Sequence, residues 1–159
     1  MSLLSGSSYP MRKFKILNTN HTSFTVSNLD RSVAFFRDVL GFDVISKAPR
    51  DPKITSLVTG IDGANLMIAY IQGAGHRLEL IEYLSPEDRG RVTSRPCDVG
   101  FAHIAFDVDD IDAALAACEA FEVKPIAPPA TIDKGPNKGA KVAYLRDRDG
   151  ITIEFIQPP

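Results

Sequence analysis

Tryptophan is absent from the 159-residue chain, and cysteine occurs only twice. Cys97 and Cys118 cannot build a disulfide framework, so the reducing cytoplasm is the expected compartment. Cys118 lies in an alanine-rich helical stretch and reads as a small buried hydrophobe. There is no run of about 18 apolar residues to cross a membrane. Residues 1–13 lack the charged start and apolar stretch of a secretion signal. Neither sign of charge dominates, with 18 Lys and Arg against 20 Asp and Glu. That balance argues against a strongly basic nucleic-acid binder. Histidine is scarce too, at three residues. What remains is a globular composition, 44% hydrophobic and 24% charged, fitting one ordinary domain or two very small ones.

Residues 1–17 read as a flexible tail. Beyond them, 21–26 is β-branched and aromatic and reads as a strand. Ser27-Asn28 offers a helix cap, with Asp30 in the first turn. Leu29, Val33, Phe36 and Leu40 then follow at helical spacing, and Gly41 stands where the helix stops. Strands are expected at 42–46, 65–71 and 78–83, with Asp51-Pro52 and Asp62-Gly63 as turns between them. The polar stretch 85–98 reads as a linker between a first module at 18–84 and a second at 99–159. In the second module the spacing predicts a strand at 101–108, a helix from Asp109-Asp110 to about Phe121, and strands at 123–126, 141–145 and 151–156.

The second module repeats the first. With His21 set on His103, a shift of 82, five of the fourteen positions 21–34 are identical: His21, Phe24, Val26, Asp30 and Ala34. Near the end of each module Leu78-Glu79-Leu80-Ile81 matches Ile153-Glu154-Phe155-Ile156, at a shift of 75. Each module therefore carries one histidine in its first strand and one glutamate in its last. Strand alternation turns His21 and His103 away from the face that packs under the helix. A carboxylate buried on that other face is costly without a partner, and a cation offsets the cost. Two imidazoles and two carboxylates suit Zn, Ni, Co, Mn or Fe better than Ca or Mg.

These residues carry a family resemblance. His21 to Val26, the helix Asp30 to Gly41, Leu78-Glu79-Leu80, Gly100-Phe-Ala-His103, and Asp147-Arg-Asp-Gly150 through Glu154 together resemble the vicinal-oxygen-chelate superfamily, over about residues 18–157. That group includes glyoxalase I, methylmalonyl-CoA epimerase, extradiol dioxygenases and antibiotic-resistance proteins. The resemblance implies an α+β fold of paired βαβββ modules forming a curved sheet around a metal cleft. It implies His21, Glu79, His103 and Glu154 as ligands of one divalent metal, Ni, Co, Zn or Mn, and a homodimer acting on a small-molecule substrate. The implied chemistry is a glyoxalase I-type isomerase or lyase that moves a proton at a carbon next to a carbonyl of a thioester or hydroxy-ketone. Glu154 is the implied base, and Glu79 a ligand and second acid–base group. Thr25 and Tyr83 stand where glyoxalase I proteins carry the Arg and Asn that hold glutathione, so the resemblance stops short of glutathione. An iron-dependent extradiol dioxygenase and a non-catalytic binding protein of the same fold are the alternatives. Arg77, on the same strand face as Glu79, and Lys134 and Lys138, in a Gly-rich loop, are the candidate substrate contacts.

Overall fold

The computed structural model describes residues 13–159, so most of the expected N-terminal tail lies outside the described residues. The first half opens with β1 (Thr22–Thr25) and α1 (Leu29–Asp38). The Asn28 side chain accepts the Arg31 amide at 2.8 Å, and Asp30 stands in the first turn. Leu29, Val33, Phe35 and Phe36 are buried on one side of this helix. β2 (Asp43–Pro49), α2 (Pro52–Thr59), β3 (Asn65–Gly73) and β4 (His76–Ser85) complete the half.

The helix α2 replaces the simple turn expected at Asp51-Pro52. Asp51 accepts the amides of Lys53 and Ile54, Pro52 fills the first turn, and Gly60, at φ 70°, ends the helix in the left-handed conformation. These are ordinary start and stop signals. The segment buries Thr55 alone; Ile54, Leu57, Val58 and Ile61 recur at helical spacing but stay exposed. β3 and β4 are joined by Ala74-Gly75, both at positive φ, the two-residue turn that matches strand twist. Gly73 is needed for space: a Cβ there would stand 2.7 Å from the Phe42 ring.

The second half follows a similar order, with a short strand in place of α2: β5 (Ile104–Asp107), α3 (Ile111–Glu119), β6 (Lys124–Pro125), β7 (Ala130–Thr131), β8 (Lys141–Arg146) and β9 (Thr152–Gln157). The strand expected at 123–126 shortens to two residues, and β7 is an extra pairing on β8. The sheets run β1-β4-β3-β2 and β5-β9-β8-β6. In each, the first and last strands lie side by side and parallel. The repeat extends to helix starts. Glu82 accepts the Leu29 amide at 2.8 Å, and Gln157 accepts the Ile111 amide at 2.9 Å. Both residues stand three places after the glutamate of their strand.

The halves share one core. Leu78 and Leu80 from β4 and Ile153 and Phe155 from β9 are almost fully buried. Aromatic edges join the halves, with Phe42 and Phe106 at 5.9 Å and Phe35 and Phe121 at 5.8 Å between ring centroids. A polar clamp joins them as well. Asp149, before β9, accepts the Ser27 amide at 2.8 Å and the Arg31 guanidinium at 3.1 Å. Asp147 holds the same turn by accepting the amides of Asp149 and Ile151, each at 2.9 Å. The segment between the halves is strapped to this region by Arg146, which donates to the Ser94 carbonyl at 2.9 Å.

Asp149→Ala should lower unfolding stability by about 1–3 kcal/mol, read as a lower urea midpoint, because charged hydrogen bonds between the halves are lost. Burial, above all, raises the Asp147 carboxyl above its ordinary 3.8. The native protein therefore holds this proton more tightly than the unfolded chain does. The resulting stabilisation is full at low pH and is lost as pH rises through the raised value. The stability of the wild type relative to Asp147→Asn should fall with rising pH over that acidic window; a pH-independent difference would contradict this assignment.

Candidate functional site

Alternation along β4 sends Leu78 and Leu80 into the core and turns Glu79 to the opposite face. β1 lies parallel beside it with Ser23 level with Glu79, and His21, two residues earlier, projects from the same face. His21 Nε2 meets Glu79 Oε2 at 3.2 Å. The second half builds the same pair. Ala105 is level with Glu154, and His103 Nε2 meets Glu154 Oε2 at 3.0 Å. Both histidines precede the strands that begin at Thr22 and Ile104, so they stand at the strand mouths rather than inside the strands, as the sequence pattern had placed them. The carboxylates are the less exposed partners, at 11% for Glu79 and 15% for Glu154, against 29% and 32% for the histidines.

Within one chain the four residues form two separate pairs. Among the described residues, no three His, Cys, Asp or Glu side chains come together as a metal cluster. Each pair offers one nitrogen and one carboxylate, half of a four-donor set. A cavity of about 470 Å³ lies elsewhere, between the end of α1 and the start of α3, where Phe42, Phe106, Asp109 and Phe155 line it. None of the four residues reaches it.

Each pair also has a tyrosine partner. Tyr70 on β3 stands directly across from Glu79, and Tyr144 on β8 directly across from Glu154. Their rings lie 5.6 Å from His21 and 5.0 Å from His103, centroid to centroid. Hydrogen bonding to Glu79, followed by burial, raises the Tyr70 phenol above 10, with Arg50 pulling the other way. Burial first, then the Glu154 charge, raises Tyr144. The repeat held the signal: the two tyrosines precede their glutamates by nine and ten residues.

The substrate contacts expected from sequence are more scattered. Arg77 is exposed on β4, on the Glu79 face and across from Gln72. Lys134 and Lys138 are exposed in the loop between β7 and β8, and no ion pair joins them to either His–Glu pair. Cys118 is fully buried, and burial pushes its thiol up to about 11, which suits the inert hydrophobe expected from the sequence.

A protein-family model described as the Glyoxalase/Bleomycin resistance protein/Dioxygenase superfamily matches residues 18–155. The chain belongs to that superfamily. A 2-epi-5-epi-valiolone epimerase from Actinomyces is 32% identical to it over 145 residues, covering 88% of this chain and 79% of the relative. A lactoylglutathione lyase from Haemophilus influenzae is 31% identical over 144 residues, covering 86% and 90%. The crystal structure of a glyoxalase family protein from Bacillus cereus superposes with a TM-score of 0.80 at 24% identity, covering 94% of this chain and 99% of that one. These likenesses establish the superfamily and its α+β fold of two mixed sheets. The described residues contain no helix long and apolar enough to cross a membrane.

Glu79→Gln should bring the Tyr70 phenol down toward 10 and leave Tyr144 in place, as followed by ultraviolet titration of the single-tyrosine variants. A Tyr70 value that did not move would separate this phenol from Glu79.

Proposed function

We propose that the protein is a divalent-metal-dependent isomerase or lyase that transfers a proton at a carbon next to a carbonyl. The observation that carries this reading is the duplicated His–Glu pair, set at the same register in both sheets. Superfamily relatives named an epimerase and a lyase support the same class of chemistry. Two imidazole nitrogens and two carboxylates fit Ni, Co, Zn or Mn, with His21, Glu79, His103 and Glu154 as the holding residues. A second copy of the chain completes the set, the first half of one copy facing the second half of the other. A two-fold homodimer then holds two equivalent sites.

When bound, the metal supplies Lewis acidity that stabilises negative charge on a carbonyl oxygen. The remaining work falls to the chain. Glu154, in its apolar strand, takes the proton from the carbon beside the carbonyl and returns it. Glu79 holds the opposite side of the site and, in an isomerisation, is placed to handle the proton there. His21 and His103 keep the two carboxylates aligned from the strand mouths. Thr25 and Tyr83 leave no match to glutathione, so a thioester or a hydroxy-ketone is the substrate class.

Metal analysis of the purified protein should find one of the four divalent ions; iron together with oxygen consumption on a catechol would indicate ring cleavage instead. Glu154→Gln should retain the metal and slow exchange of the substrate proton with deuterated solvent about 10²–10⁴-fold. His21→Ala and His103→Ala should each be inactive alone. Mixing and refolding them should restore about one quarter of the wild-type sites, because half the dimers then carry one intact site of two. No recovery would place the whole site inside one chain or remove it.

A further inference from the structure

Nine arginines lie among the described residues. Four of them, Arg31, Arg37, Arg95 and Arg148, pair with carboxylates. Arg89, Arg91 and Arg146 donate to the backbone carbonyls of Pro86, Arg148 and Ser94. The remaining two, Arg50 and Arg77, engage neither a carboxylate nor a carbonyl oxygen among the described residues, and both stand at the first His–Glu pair.

Arg50 follows β2, and its amide donates to the Leu66 carbonyl at 3.2 Å, which fixes the base of the side chain. The adjacent acid, Asp51, is committed to the start of α2. The Arg50 guanidinium lies half-buried over the Tyr70 ring, 5.7 Å from its centroid, on the side of the sheet that carries Glu79. Arg77 shares that face, two residues before Glu79 and beside His21 across the parallel strand pair. Asp43 lies two strands away in the row of Arg77 and does not pair with it.

The charges around this face therefore do not balance. Glu79 is held by His21, and a divalent ion, when bound, offsets the two glutamates. Two guanidiniums are then left over at the mouth of the site. Guanidinium forks match the geometry of carboxylate and phosphate oxygens, and the half-buried Arg50 and exposed Arg77 both attract them. The second half has no counterpart: its arginine on the equivalent face, Arg146, is tied to Ser94 and Thr152.

We propose that Arg50 and Arg77 form an oxyanion subsite beside the His21–Glu79 pair, so that the substrate carries a carboxylate or phosphate next to its carbonyl end. The assignment rests on the metal-site reading for its orientation, since the anion would lie beside the chelated oxygens. Tyr70 serves as the platform that holds the Arg50 guanidinium in place.

The test uses the full-length protein loaded with cobalt and titrated with inorganic phosphate in one arm and malonate in the other, followed by calorimetry and the visible cobalt spectrum. One of the two anions should bind, and the arm that responds identifies the acid. Arg50→Met and Arg77→Met should each weaken that binding about tenfold or more, with cobalt affinity unchanged; Arg50→Lys should recover part of the loss. Equal binding by wild type and both Met variants would show that the metal alone holds the anion, and would overturn the subsite. Failure of the wild type to bind either anion would overturn it as well. If cobalt itself does not bind, the metal reading falls, and the same titrations on metal-free protein still decide the subsite.

Discussion

Each sheet sets a glutamate, buried at Glu79 and half-buried at Glu154, in a strand whose neighbouring residues are core hydrophobes, and the rest of the structure is arranged around that placement. Leu78 and Leu80 enclose Glu79 along the strand, and Ile153 and Phe155 enclose Glu154. A carboxylate in such a strand is destabilising unless something on the other face receives it. The parallel pairing of first and last strands provides that partner by bringing His21 to 3.2 Å and His103 to 3.0 Å. The same pairing leaves the residue three places further along, Glu82 or Gln157, at the start of the helix that follows the first strand of its half, where it accepts an otherwise orphaned amide. One strand arrangement thus serves the polar pair and the helix end together.

The way the halves meet decides which surfaces remain for chemistry. Phe35, Phe42, Phe106 and Phe121 join on the core side, and Ser27 and Arg31 lock onto Asp149. A half of this size buries little apolar surface alone, and the buried residues of both halves form one cluster. It uses the faces opposite the His–Glu pairs and keeps those pairs apart within one chain. On the proposed reading, the symmetry hidden in the sequence is completed by a second copy rather than by the two halves of one.

Much of this was legible in the residues. The α1 cap at Asn28, the alternation of β4 and β9, and the repeat linking His21 to His103 follow from local patterns of period 2 and 3.6. α2 was legible too: Asp51-Pro52 and Gly60 carry its end signals, and Ile54, Leu57, Val58 and Ile61 recur at helical spacing, although the helix buries little. β7 was hidden because two residues leave no period to read. Tyr70 and Tyr144 were hidden for a different reason. A tyrosine in a strand is compatible with core lining, and only cross-strand register shows which face and which neighbour it has. Arg50 is a still more distant case, since its position over Tyr70 comes from a bend of the chain between β2 and α2.

By itself the sequence determined the superfamily, the two-half architecture and the chemical types of the four candidate site residues. These depend on near-neighbour spacing and on a repeat, and a linear chain records both. Only the tertiary structure decided that these candidates stand as two His–Glu pairs, that a tyrosine faces each glutamate, and that two arginines beside one pair engage no carboxylate among the described residues. Those facts depend on strand order, register and the packing of one half on the other. They are distances between residues far apart in the chain, and side-chain identity alone does not encode them.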